Sequence, residues 1–283
     1  MLPHIQFLPI HPDTPPSAHI RSMFDICPWL YYDIAEGNTF LERESKVDMH
    51  IPDGYLGPQS CAVAYAAAIP FWVMASRKLN KTLRSKQVPL LALSAAFSFV
   101  IMMFNVPIPG GTTGHAVGAV LVAVLLGPWA ACIAVSLALI VQALMSGDGG
   151  IFSIGANCLN MAIIMPFAGY GVYRLIAGNS ALVSRRRYIG AAIGGYIGLC
   201  AAALSAGIMF GIQPLIAHDA SGRALYAPYS LKVAVTTMLG EHMLVFGIVE
   251  AIVTGLVVAY IQKTDTSLLY NLNKAIHRGA DSK

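Results

Sequence analysis

A polar first stretch is followed by a series of apolar blocks, separated by short polar or glycine-rich segments. Most blocks are close to 20 residues long, which is the helix length that crosses about 30 Å of hydrocarbon. The third block is too short to cross and must lie partly inside a bundle of the others. The pattern predicts an all-α integral membrane protein with a bundle of about seven transmembrane helices, over approximately residues 59–76, 88–104, 116–126, 129–145, 152–177, 188–210 and 231–262.

Composition supports a membrane protein. Of the 283 residues, 56% are hydrophobic and only 11% are Asp, Glu, Lys or Arg. A soluble domain usually has about a quarter of its residues charged. Most of the surface is therefore expected to contact membrane lipid, and no nucleic-acid partner is expected.

Charge is distributed unevenly along the chain. Residues 1–48 contain three Lys/Arg and seven Asp/Glu, whereas residues 49–283 contain fifteen and seven. The basic residues follow the first, fifth and seventh apolar blocks, and such regions normally face the cytoplasm. This places the N-terminal arm outside, the C-terminus in the cytoplasm and the chain in the cell inner (plasma) membrane as a multi-pass protein. The outer side then receives the loops 105–115, 146–150 and 211–229.

Residues 1–48 form a polar leader that differs from the membrane domain, 49–262, and from the cytoplasmic tail, 263–283. No basic segment leads into an apolar one, so the leader does not resemble a signal peptide. We expect it to be disordered, to be removed, or to precede a true start of the protein at Met49.

His50 is the first candidate for chemistry because it follows a methionine just before the first apolar block. If the working chain begins at Met49, its free amine, the His50 amide nitrogen and the His50 Nδ1 can bind one ion through small chelate rings. His115, after a Pro/Gly loop, is the natural fourth nitrogen donor. A square of four nitrogens suits Ni(II) or Cu(II), and can suit low-spin Co(II). The alternative for each histidine is an interfacial or structural role.

Other polar residues are candidates for supporting the ion or lining its path. Thr112 and Thr113 can also cap the next helix, and Asp148 can be a turn residue or attract cations at the outer mouth. Intramembrane polar groups usually bond neighbouring helices, and a buried carboxylate is usually functional. His242 and Glu250 can equally form a structural pair or contact a partner subunit near the inner side. The full set comprises Asn105, Thr113, Asp148, Asn157, Asn160, His242 and Glu250.

From Met49 to about residue 262 the sequence resembles the CbiM/NikM family, the substrate-binding membrane components of energy-coupling-factor cobalt and nickel importers. The motifs are long and occur in the same order. They are Met-His-Ile-Pro-Asp-Gly-Tyr-Leu at 49–56, Val-Pro-Ile-Pro-Gly-Gly-Thr-Thr-Gly-His at 106–115, Leu-Leu-Gly-Pro-Trp-Ala at 125–130, Gln-Ala-Leu at 142–144, Gly-Asp-Gly-Gly at 147–150 and Gly-Ala-Asn-Cys-Leu-Asn-Met-Ala at 155–162.

The resemblance implies that the chain captures Co²⁺ or Ni²⁺ for an ATP-driven importer, with Met49, His50 and His115 holding the ion. It implies no prosthetic group. The expected partners are two ATPase subunits, a transmembrane coupling protein and a small CbiN/NikN-like accessory protein. Family members start at the methionine of Met-His-Ile-Pro, so a retained leader would remove one donor.

Two other transport functions stay open, and two enzyme functions are disfavoured. A nickel-specific subunit and a stand-alone metal channel stay open. An intramembrane metalloprotease is disfavoured because the sequence has Glu241-His242 but no HExxH pair. ATP hydrolysis is not expected of this chain, which has no Walker motif.

Overall fold

Helices account for most of the computed structural model, which describes residues 50–82, 88–108 and 112–269. Each apolar block of the sequence forms a helical segment. The helices are α1 (Pro58–Thr82), α2 (Val88–Met102), α3 (Ala119–Leu126), α4 (Pro128–Met145), α5 (Ile154–Asn157), α6 (Met165–Ala177), α7 (Arg185–Gly211), α8 (Gln213–Ile216), α9 (Leu231–Glu241) and α10 (Gly247–Thr264).

Five of the described helical runs are long and apolar enough to cross a membrane. Helix α2 is apolar but shorter, with 15 residues. The prediction of an all-α, multi-pass membrane protein is confirmed, whereas the number of crossings and their orientation stay predictions. The long runs are Pro58–Lys81, Pro128–Met145, Ile154–Ala177, Arg185–Ile216 and Leu231–Thr264.

Helix α3 is short and enclosed by the other helices. Its residues from Ala119 to Val124 are all buried. This confirms that the third apolar block lies inside the bundle. Gly127 ends α3 at φ 90°, and Pro128 then begins α4 at a position where its missing N–H costs nothing.

A small hairpin precedes α3. Strand β1 (Val106–Ile108) pairs antiparallel with β2 (Thr112–Gly114). The prediction that Thr112 or Thr113 caps the next helix is wrong, because Gly118 occupies the N-cap position. The hairpin pairs backbone N–H and C=O groups that a Pro/Gly loop would otherwise leave without hydrogen bonds.

Helix α7 packs closely against its neighbours through small residues. A Cβ atom on Gly194 would meet the Gly169 carbonyl, and one on Gly198 would meet the Met165 carbonyl. Small residues let membrane helices approach to this degree. The close packing brings α6 and the last helical run against the centre of the bundle.

Two π-helical turns interrupt the long apolar helices. The first, π1 (Cys158–Ile164), joins α5 to α6, and the second, π2 (His242–Phe246), joins α9 to α10. Such turns add a residue to an α-helix and are frequent at functional sites. Both occur where predicted site residues lie.

The outer loops of the predicted topology meet at one end of the bundle. The Gly57 amide donates to Gln213 Oε1 at 3.0 Å, and the Ala227 amide donates to the Tyr55 carbonyl at 3.1 Å. Gln262, in the last helix, bonds instead to the carbonyls of Leu182 and Ser184, beside the cluster of arginines.

Two of the three predicted segments of the chain lie mostly or wholly outside the described residues. The leader, 1–48, and the tail beyond residue 269 lie outside the described residues. Helix α10 ends at Thr264, close to the predicted end of the membrane domain at 262.

Candidate metal centre

The structure brings His50 and His115 together, although 65 positions of sequence separate them. Their ring centroids are 4.6 Å apart, with an interplanar angle of 30°. The two residues are 2% and 1% exposed. Two imidazoles therefore face each other in a site shielded from solvent.

Hydrogen bonds to the Nδ1 atoms define how the two rings are held. His115 Nδ1 donates to the Ala116 carbonyl at 3.1 Å, and His50 Nδ1 lies 3.1 Å from Asp148 Oδ1. Since a carbonyl and a carboxylate accept, the neutral form of each ring carries its proton on Nδ1 and keeps the lone pair on Nε2. Both Nε2 atoms are buried, and neither has a hydrogen-bond partner among the described residues.

The electrostatic setting keeps His115 neutral. Burial, and then the charge of the nearby His50, lower the pKa of His115 to about 3. Burial raises the pKa of Asp148, but the hydrogen bond and charge of His50 outweigh it, and the pKa is below its ordinary value. A neutral imidazole is the form that can bind a metal ion, and the lowered pKa keeps His115 in that form at neutral pH.

Asn157 fixes the arm that carries His50. The Ile51 amide donates to Asn157 Oδ1 at 2.8 Å, and Asn157 Nδ2 donates to the Ile51 carbonyl at 3.1 Å. Gly150 adds a third bond through its amide to the same carbonyl. Gly149, at φ +74°, lets the loop pass close to the arm, since a Cβ there would meet the Asn157 side chain.

Asp53 is a second anchor of the arm that the sequence analysis did not assign. Its carboxylate accepts from the backbone amides of Ile151, Phe152 and Ser153, at 2.9, 2.9 and 3.3 Å. It thereby caps helix α5, whose own N-cap Ser153 makes no capping bond. Pro-Asp-Gly is also an ordinary turn sequence, so nothing local distinguished this role.

His242 is fully buried at the start of π2. Its Nδ1 donates to the Met238 carbonyl at 2.7 Å, and its buried Nε2 has no partner in the part of the chain that the structure describes. Within the residues that the structure describes, no group of three or more His, Cys, Asp or Glu side chains is placed to hold a metal ion. Any metal site at His50 and His115 therefore needs further donors, such as backbone nitrogen.

The remaining predicted residues have separate surroundings. Asn160 donates to Met209 Sδ at 3.6 Å, Thr113 is buried in β2, and Asn105 is exposed before β1. Glu250 bonds to the backbone at the start of α3. Met49, the predicted source of the amine, lies outside the described residues.

The chain is similar to a known family of membrane proteins over most of its length. The family described as "Cobalt uptake substrate-specific transmembrane region" (CbiM) matches residues 50–268. The chain is 56% identical over 221 residues to a fused nickel transport protein, NikMN, of Rhodobacter capsulatus. That match covers 78% of this chain and 64% of the relative, so it spans less than two thirds of the relative's length.

Two further proteins are similar over most of the membrane part. A probable fused nickel transport protein, LarMN, of Lactiplantibacillus plantarum is 48% identical over 224 residues, which are 78% of this chain and 67% of that one. A crystal structure of a truncated transition metal transporter is 54% identical with a TM-score of 0.72, and covers 76% of this chain and 98% of that chain.

Proposed function

Because the chain belongs to the CbiM family of cobalt uptake transmembrane proteins, we propose that its helical bundle captures Co²⁺ or Ni²⁺ for uptake, in a site made only of nitrogen atoms. The observation that supports this most directly is the pair of buried imidazoles, whose ring centroids are 4.6 Å apart, with a His115 Nε2 that has no partner among the described residues. Late first-row divalent ions bind such nitrogens well. Shielding from solvent disfavours competing water ligands.

The proposed ligands are the Met49 amine, the His50 amide nitrogen and Nδ1, and His115 Nε2. In the structure His50 Nδ1 bonds to Asp148. To form the chelate, the His50 ring gives up this hydrogen bond and binds the ion through Nδ1. Its single N–H proton then lies on Nε2. Asp148, which is half-buried at the mouth of the site, supplies negative charge where the cation enters.

We place the histidine end of the bundle on the outer face, where the ion arrives. Energy for transport then comes from partners: two ATPase subunits and a transmembrane coupling protein of the energy-coupling-factor type. The similar proteins from R. capsulatus and L. plantarum are named as fused transporters, which supports a small CbiN/NikN-like accessory partner for this chain.

Selectivity between the two ions is addressed by competition. The family description names cobalt, whereas the two similar fused proteins are named for nickel. Purified protein is loaded with one ion, titrated with the other and analysed for metal content. A large excess of Co²⁺ needed to displace Ni²⁺ identifies a nickel-specific subunit. Uptake by vesicles that contain this chain alone would instead support a stand-alone channel.

Replacing Asn157 with leucine is expected to weaken Ni²⁺ binding by about 10–100-fold, the usual cost of losing a residue that orients a metal ligand. The change removes both bonds to the Ile51 backbone, next to the proposed ligand His50. Calorimetric titration of the purified protein measures the affinity. Asn160→Leu is the matched control, because Asn160 lies three residues on and bonds to Met209 rather than to the arm. Equal losses in the two variants would contradict the role of Asn157.

Metal binding should release close to two protons near pH 7. One leaves the His50 amide and most of another leaves the Met49 amine, whose ordinary pKa is about 7.7–8.0. His115 contributes none, because its pKa is lowered to about 3 and it is already neutral. Affinity should therefore fall as the pH falls. Titration in buffers of different ionisation enthalpy counts the protons, and release of fewer than one would exclude an amide ligand.

A further inference from the structure

Glu250 is a buried carboxylate in the last helix that bonds to the backbone of a distant segment. Its Oε2 accepts from the Val117 amide at 2.9 Å, and both of its oxygens lie 3.1 Å from the Gly118 amide. Thr254 Oγ1 donates to Oε1 at 3.4 Å. Glu250 is 0% exposed. Because N–H and O–H donors occupy its oxygens, it is not available as a metal ligand in this arrangement.

Helix α3 needs a cap from elsewhere in the chain. Its N-cap is Gly118, which has no side chain and adopts φ +73°. A Cβ at this position would meet the ring of Phe97, and a positive φ disfavours other residues. The first residues of α3 are buried, so water does not reach the free amides at its N-terminus. A carboxylate there also interacts favourably with the helix dipole.

The last helical run contacts both ends of the segment that carries His115. The ring of Phe246 packs directly against Gly114, where any Cβ would clash. Glu250, four residues later and so on the same face, bonds to Val117 and Gly118. His115 lies between these two contacts, and its ring is bonded to the carbonyl of the very next residue. The backbone conformation that Glu250 stabilises therefore sets the direction of the His115 ring.

We propose that Glu250 is a positioning residue of the cargo site, which caps α3 from the last helix and thereby orients His115 towards the ion. The inference rests on the proposed role of His115 as a ligand. Glu250 then stabilises the geometry of the site and does not line the path of the ion. The last helical run, through Phe246 and Glu250, is also the element that holds one of the two histidines.

The test compares three variants of the purified protein. Glu250→Leu removes every bond to Val117 and Gly118, and Glu250→Gln puts an NH₂ group near the Gly118 amide while it retains one acceptor. The control is Gln262→Leu, in the same helix, which removes two bonds to the carbonyls of Leu182 and Ser184 at a distance from the histidines. Thermal unfolding reports stability, and Ni²⁺ titration with visible absorption reports affinity and ligand geometry.

We expect Glu250→Leu to weaken Ni²⁺ binding by about 10–100-fold, Glu250→Gln to weaken it less, and both to shift the Ni²⁺ absorption bands. Gln262→Leu should keep the wild-type affinity and spectrum even where its stability falls as far. Wild-type affinity and spectra in both Glu250 variants would overturn the proposal, as would an equal loss in Gln262→Leu. Failure of the proposed function is distinct, because His115→Ala would then bind Ni²⁺ like the wild type.

Discussion

Replacing His115 with alanine is expected to abolish high-affinity binding and uptake of Co²⁺ and Ni²⁺, and His50→Ala should do the same. Each change removes an imidazole nitrogen from a site that has two. Because the loss of a residue that only orients a ligand already costs about 10–100-fold in affinity, loss of a ligand should exceed 100-fold. Uptake of radiolabelled ion by cells that carry the complete transporter measures the effect.

His218→Ala is the matched control for these variants. His218 is exposed in the loop after α8, and its Nδ1 lies 3.4 Å from the Asp219 carbonyl. All three variants should accumulate in the membrane to the same level. Each one removes only part of a single side chain from a large bundle. Normal uptake in both the His50 and His115 variants would refute the proposed site.

Adding one residue in front of Met49 is expected to be nearly as damaging as removing a histidine. The extension turns the Met49 amine into an amide, so the site loses its neutral amine donor, and a nitrogen at that position can bind only after it gives up a proton. Three chains, which begin at Met1, at Met49 and one residue before Met49, are compared for metal content and uptake.

The chain that begins at Met49 should bind the ion most tightly. Intact-mass measurement of each purified protein is the control, because processing of a longer chain back to Met49 would restore the amine. Tight binding by a protein whose mass proves a blocked Met49 would contradict the amine as a ligand. In that case the Nε2 atoms of His50 and His115, which face the site unpartnered, would be the donors to examine next.

Several features followed directly from the order of residues. Apolar blocks near helix length predicted the membrane helices, and the shortness of the third block predicted that α3 is enclosed. The spelling of the motifs around His50 and His115 indicated a nitrogen site and a family. These features are local or periodic, and periodicity and chain length are what a sequence displays without knowledge of contacts.

Contacts between distant residues could not be predicted in this way. The sequence analysis gave Asp53 no role, yet it caps α5 from about 100 positions away. Glu250 was a candidate for supporting the ion, for a structural pair with His242 or for a contact with a partner subunit, and its bonds to the Val117 and Gly118 amides could not be foreseen. The threonines at 112 and 113 looked like helix caps, but the chain forms a hairpin there and the helix begins at Ala119.

The sequence by itself determined that the chain folds as apolar helices in a membrane and which two histidines and which arm are candidates for binding an ion. Only the tertiary structure decided that His50 and His115 meet, that Asn157 and Asp53 hold the arm, and that the last helix caps the buried α3. The physical reason is that buried backbone amides must find acceptors. Gly118 has no side chain that could accept a hydrogen bond, so the acceptor at the start of α3 is Glu250 of the last helix.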